Sequence, residues 1–218
     1  MRWIFTTLPL TCYNKLLFLC YYIIININKK FNLFFLSIVI SVEGVGKMDG
    51  LIQVYFGNGK GKTTAALGLA LRAAGRGKEV LIVQFMKKWD YGELHSIQLI
   101  PQITVKTFGT KDFVYKGKAK YIDYQEAKKA FTEGVQGAKS GQFDIIIFDE
   151  LNVAIDFELL ELQQVLDFLE QKPQDIEIII TGRNAPQEII DKADLVTEMR
   201  EVKHPYQKGV QARIGIEY

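Results

Sequence analysis

The chain has 218 residues, of which 24% are charged and 48% hydrophobic, with a formal net charge of +2. That length suits one α/β domain with a sizeable core, and two full domains would need more chain. A charge so near zero gives no sign of the basic footprint of a nucleic-acid binder, and no partner of that kind is expected.

Residues 1 to 47 differ in character from the rest. Two apolar runs, LLFLCYYIII (16 to 25) and LFFLSIVISV (33 to 42), flank NINKKFN. Each is about half the roughly 20 residues that a membrane-spanning helix needs. A membrane anchor, a secretory signal and sequence outside the functional protein are the three readings. A signal peptide puts its positive charge ahead of a single apolar run, whereas Lys29 and Lys30 follow the first run. The codons for EGVGKM (43 to 48) can spell GGAG just upstream of Met48, a ribosome-binding sequence. Translation is therefore expected to start at Met48. Residues 1–47 would be a non-native or untranslated extension, and no membrane partner is expected. Arg2, Lys15, Lys29, Lys30 and Lys47 stand against Glu43 there, which leaves 22 basic and 24 acidic residues beyond, a net charge of −2. Both cysteines, Cys12 and Cys20, also lie in the extension. A domain without thiols fits the cytoplasm.

From residue 51 onward short apolar runs alternate with segments of helical period, the pattern of a parallel sheet with crossover helices. Strands are predicted at 51 to 56, 79 to 85, 103 to 108, 143 to 149, 175 to 181 and 194 to 199, and their Ile and Val content suits burial on both faces. Helices are predicted at 61 to 75, 119 to 139, 158 to 171 and 186 to 192, with Asp156 as a candidate cap for the third and Pro186 in the first turn of the fourth. Ligands of such sheets bind outside the carboxyl ends of the strands. That rule brings GNGKGKTT (57 to 64), the acids Asp149 and Glu150, and TGR (181 to 183) to one edge.

The loop is the strongest signal. A hydrolase-type G-x-x-x-x-G-K-[ST] ending in Gly61, Lys62 and Thr63 needs glycine at 56, where this chain has Phe56. Gly57 makes the loop one residue short. Gly57, Gly59 and Gly61 still let the backbone curl against phosphates, with the following helix directing its amides at them. Lys62 supplies a mobile positive charge, and the Thr63 hydroxyl can coordinate Mg²⁺. Asp149 and Glu150, at the end of an apolar strand, are oxygen ligands suited to the same hard cation. Taken alone such a pair is a common solvated turn; its register with the loop argues for the site. Arg183 could grip phosphate, although an arginine opening a loop is equally an ordinary surface residue. His95 and His204 have no zinc-like spacing, and no nucleophile is paired with a base.

GNGKGKTTAALGLALRAAGRGKEVLIVQF, FDIIIFDELN, TGRNAP and ADLVTEMREVKHPYQKGVQARIGIEY together resemble the ATP:corrinoid adenosyltransferases, the family of cob(I)yrinic acid a,c-diamide adenosyltransferase. The resemblance runs from about Leu51 to Tyr218, so the domain is taken as 48–218. It implies a recombinase-type P-loop α/β fold with a mainly parallel sheet. It also implies ATP as co-substrate, Mg²⁺, transfer of the 5′-deoxyadenosyl group to a Co(I) corrinoid, and triphosphate as leaving group. Family members carry G-N-G-K-G-K-T and hold ATP in the reverse direction from ordinary P-loop enzymes, so Phe56 departs only from the hydrolase pattern. By the same resemblance Asn58, Lys60 and Thr64 add phosphate contacts, and Arg72 matches a family arginine on the loop helix. Phe113 matches a phenylalanine facing the corrinoid, and Tyr115 stands where some members carry tryptophan. A homodimer and a flavodoxin-type reductant belong to the same expectation. A P-loop NTPase or small-molecule kinase is the alternative that the fold allows, and a nucleotide-binding regulatory module is the third.

Overall fold

The structure is a computed structural model that describes residues 49–218. The two apolar runs, both cysteines and Met48 lie outside the described residues. Six strands form one sheet: β1 (Ile52–Phe56), β2 (Val80–Gln84), β3 (Ile103–Thr107), β4 (Ile145–Asp149), β5 (Glu177–Gly182) and β6 (Leu195–Glu198). Their order is β3-β2-β4-β5-β1-β6, and every pairing is parallel. The loop-bearing strand β1 and the acid-bearing strand β4 thus flank β5, which is the recombinase-type arrangement expected. All six predicted strands are present within two residues of their expected ends.

Alternation along the strands builds two cores at once. Leu81, Val83, Ile146, Phe148, Ile178 and Ile180 point to one face, and Val80, Ile82, Ile145, Ile147 and Ile179 to the other. Helix α1 (Lys62–Ala74) covers the second face with Ala66, Ala70 and Ala74, a ridge at four-residue spacing whose small side chains let the helix lie close to the sheet. Helix α3 (Tyr121–Lys139) covers the first face with Ala127, Ala130 and Phe131. A Cβ added at Gly134 of α3 would run into the Phe148 ring, which explains a glycine in the middle of a helix that otherwise favours alanine.

Three short elements escaped the periodicity reading. Helix α2 (Gly92–Ile97), helix α4 (Leu151–Asp156) and a 3-10 turn at Pro205–Lys208 are too brief for a helical period to stand out. The predicted helix at 158 to 171 begins at Leu162 as α5 (Leu162–Gln171), because Glu158 adopts the left-handed conformation at φ 60° and breaks the run. Asp156 is consequently not its cap. It is the last residue of α4, and its carboxylate accepts hydrogen bonds from Lys116 at 2.8 Å and Asn184 at 3.0 Å, tying two loops together. Pro186 stands one position before α6 (Gln187–Lys192), not inside its first turn. No helix among the described residues is long and apolar enough to cross a membrane.

Candidate active site

The carboxyl ends of β4, β5, β1 and β6 lie side by side, so the segments leaving them meet at one edge. The glycines of the loop after β1 are required by its surroundings. Gly57 and Gly61 have φ of 103° and 118°, where a side chain is strained. A Cβ at Gly59 would sit 2.7 Å from the carbonyl oxygen of Met199. The Gly57 amide donates to the Arg183 carbonyl at 2.9 Å and the Gly59 amide to the Met199 carbonyl at 2.6 Å. The loop is therefore clamped between the segments that follow β5 and β6. TGR and the start of the C-terminal signature are brought to it by the sheet order.

Lys62 opens α1 and is buried, with its ammonium donating to the Gly59 carbonyl at 2.9 Å. An ammonium has three donors, so others remain for an anion in the cleft. Burial pulls the Lys62 pKa below the usual lysine value; the Glu150 charge opposes this and Arg183 reinforces it.

Asp149 is 1% exposed and accepts from four side chains. Thr63 and Thr181 reach Oδ1 at 2.8 and 2.7 Å, and Gln84 and Lys87 reach Oδ2 at 3.1 and 2.7 Å. Burial alone would raise its pKa, but the Lys87 ammonium and the donated hydrogen bonds hold it below the usual carboxylate range. The Lys87 pKa is raised in turn: burial works against its charge, and Asp149, with Glu150 and Glu93, more than offsets it. Glu150 sits at φ 69° ahead of α4, its amide held by the Thr181 hydroxyl at 2.9 Å. Burial, then repulsion from Asp149, raises the Glu150 pKa. Two adjacent carboxylates are thus driven apart, one firmly ionised and hydrogen-bonded, the other half-buried and turned to the cleft.

A cleft of about 600 Å³ opens over this edge, lined by Lys60, Lys62, Thr63, Thr64, Lys87, Glu150 and, unexpectedly, residues 215–218. Asn58 is exposed at the loop tip, and the exposed Arg183 lies close enough to act electrostatically on Lys62 and Glu150. Arg72 is not brought to the loop. It lies in the last turn of α1, ten residues from Lys62 and so roughly 15 Å along the helix, near Tyr55. Phe113 and Tyr115 are exposed together on the segment between β3 and α3. Phe113 stacks on Trp89, with ring centroids 5.6 Å apart. Trp89 escaped sequence reasoning, as did Gln84 and Lys87, because nothing local marks them; their partners are distant in sequence. His95 pairs with Asp90 and His204 caps the 3-10 turn, so neither faces the cleft chemistry.

Oxygen atoms dominate the candidate cation position. Thr63 gives its proton to Asp149, which leaves its hydroxyl lone pairs for a cation, and the Glu150 carboxylate faces the same cleft. That donor set suits Mg²⁺, which takes one or two protein oxygens and completes its shell with phosphate and water. No group of three or more His, Cys, Asp or Glu forms a closed protein cage among the described residues.

Comparison with known proteins agrees along the whole domain. A family profile described as ATP:corrinoid adenosyltransferase BtuR/CobO/CobP matches residues 48–218. The chain is 38% identical over 175 residues to the corrinoid adenosyltransferase of Escherichia coli (strain K12), spanning 78% of this chain and 86% of that one. It is 37% identical to corrinoid adenosyltransferase CobA of Salmonella typhimurium (strain LT2), with the same shares covered. Against the corrinoid adenosyltransferase of Pseudomonas aeruginosa it is 33% identical over 170 residues, 78% of this chain and 84% of that one.

Proposed function

Because the chain belongs to the ATP:corrinoid adenosyltransferase family, we propose that the cleft at the carboxyl edge of its sheet holds ATP and that the exposed Phe113 and Tyr115 meet the corrinoid. The observation that carries this reading is the convergence of Lys62, Thr63 and Glu150 on one cleft in a chain that matches the family from residue 48 to 218.

The enzyme transfers the 5′-deoxyadenosyl group of ATP to the cobalt of a Co(I) corrinoid, in adenosylcobalamin biosynthesis or salvage. The cobalt electron pair forms the bond to C5′ of the ribose, and the C5′–O bond breaks with its pair leaving on triphosphate. Co(I) is nucleophilic without help from a base, so the protein's work is alignment and stabilisation of the departing charge. Lys62 and the loop amides would face that charge, with Asn58, Lys60, Thr64 and Arg183 around them. Asp149 holds the Thr63 hydroxyl in position. Thr63 and Glu150 would hold Mg²⁺, which when bound neutralises phosphate charge. Phe113, backed by the Trp89 ring, gives an apolar surface suited to displacing the corrinoid's lower axial ligand, and Tyr115 adds a phenol beside it. Work in the cytoplasm as a homodimer, with a flavodoxin-type reductant supplying Co(I), is part of the same proposal and is supported by family membership.

The product decides between this reading and an NTPase. With ATP and Co(I) corrinoid, intact triphosphate is expected in step with a light-sensitive carbon–cobalt bond, and ADP as the major product would sink the reading. In the same assay, Phe113→Ala should slow the reaction more when Co(II) corrinoid and an enzymatic reductant are supplied than when Co(I) is supplied ready-made. Equal losses would remove the axial-ligand role of Phe113.

The functional unit proposed is 48–218, supported by the start of the family match and by the short apolar runs before it. Removal of residues 1–47 is expected to leave folding and turnover unchanged, and loss of either would overturn that boundary.

A further inference from the structure

The C-terminal signature is the motif that adenosyl transfer leaves without a task, and its last residues stand in the cleft. Residues 213–218 fold into a turn of their own. Gly215 takes φ 76°, its amide donates to the Tyr218 carbonyl at 2.6 Å, and the Ile216 and Glu217 amides donate to the Arg213 carbonyl at 3.2 and 2.9 Å. The Glu217 carboxylate binds the Arg213 amide at 2.8 Å and its guanidinium at 3.2 and 3.0 Å. This turn meets the phosphate loop through Lys60, whose ammonium donates to the Ile216 carbonyl at 2.8 Å and to Glu217 at 2.9 Å. Lys60 is thus satisfied by an anion from its own chain, 157 residues away.

We propose that Glu217 is an internal stand-in for phosphate, which the polyphosphate of the nucleotide must displace from Lys60, so that the C-terminal turn swings off the loop as ATP enters. The proposal rests on the reading of this cleft as the nucleotide site, and within it makes Glu217 a specificity-determining residue. A ligand that does not reach Lys60 leaves the turn in place. A ligand with several phosphates replaces one carboxylate by a denser charge and frees the turn. Arg213 keeps its grip on Glu217 throughout, so the carboxylate is not left unpaired when Lys60 changes partner. Glu217 titrates at about 2, held down first by Arg213 and then by Lys60. It therefore stays anionic throughout the working pH range, and the exchange answers to phosphate and not to protons. The Lys60 side chain is 48% exposed, so the pair is of the weak, solvent-screened kind that a competing anion can replace.

Calorimetric titration of the full chain with inorganic tripolyphosphate, without corrinoid, reads the competition directly. Glu217→Gln removes the charge and keeps the shape, and it is expected to bind tripolyphosphate about two- to five-fold more tightly than wild type. AMP should bind both proteins alike. Trimming of Tyr218 by a carboxypeptidase reads the turn: tripolyphosphate should accelerate it in wild type, and Glu217→Gln should already be trimmed at the fast rate. Equal or weaker tripolyphosphate binding by the variant, slower trimming on adding tripolyphosphate, or no binding by either protein would each overturn the proposal. None of these readouts requires adenosyl transfer, so ADP as the major product in the corrinoid assay would fail the function while leaving the Lys60–Glu217 competition standing.

Discussion

Replacing Lys62 by alanine is expected to lower adenosyl transfer by about 100- to 1,000-fold, the range seen when one donor to a developing negative charge is removed from a water-poor site. The fold should survive. Lys62 makes its hydrogen bond to the Gly59 carbonyl within its own loop, and removing a buried ammonium relieves desolvation. Circular dichroism and the melting temperature should therefore stay close to wild type while turnover collapses. Normal turnover would make the loop a structural turn only. The same residue sets a pH limit. Its pKa lies below that of an ordinary lysine, chiefly through burial. The charge is thus lost, as pH rises, earlier than a free lysine would lose it. Affinity for ATP should fall on the alkaline side, and Lys62→Arg, which does not titrate there, should move that limb upward.

Asp149→Asn should damage both stability and activity. The carboxylate is the counterion of Lys87, whose side chain is 14% exposed, and it accepts from Thr63, Thr181 and Gln84 as well. An asparagine amide turns one acceptor into a donor facing donors and takes from the largely buried Lys87 its paired carboxylate, which costs about 3 kcal/mol. For a domain of this size that is a drop in Tm on the order of 10 °C. Lys87→Met in the same protein should recover much of the loss, since the unpaired charge goes with it, but not the full activity, because the neutral amide oxygen holds the Thr63 hydroxyl more weakly than the carboxylate does. The pH window follows from the directions of the shifts. Asp149 is lowered, so its contribution is present above the ordinary aspartate pKa and lost as pH falls through the depressed value. Lys87 is raised, so its contribution is present below the ordinary lysine pKa and lost as pH rises through the elevated one. Denaturant unfolding of wild type between those limits should show the pair at full strength, and the variant should have lost it across that whole range. Wild-type stability in the Asp149→Asn protein would mean that the network is incidental.

Much of this architecture is legible in the chain because its causes are local. A strand buried on both faces must be an apolar run, and FDIIIFD and DIEIIIT are such runs whatever surrounds them. A loop that wraps phosphate must be glycine-rich between a strand and a helix. Gly57, Gly59 and Gly61 therefore mark a site in the sequence alone, and Phe56 separates it from the hydrolase pattern. The remoteness of Arg72 from the loop was also within reach, since ten residues of helix carry a side chain far from the first turn.

The parallel sheet, the edge at which the site forms and the family can all be read along the chain. Each follows from a period, a glycine spacing or an extended motif read along the chain. Which residues stand side by side at that edge depends on how the strands are ordered in space. Gln84 and Lys87 reach Asp149 because β2 lies against β4, and the TGR segment clamps Gly57 because β5 lies against β1. Trp89 stacks on Phe113 across a loop crossing, and Glu217 reaches Lys60 after the whole domain has intervened. Hydrogen bonds and ring contacts act over a few ångströms of space, so no spacing in the sequence marks residues that folding alone brings within that reach.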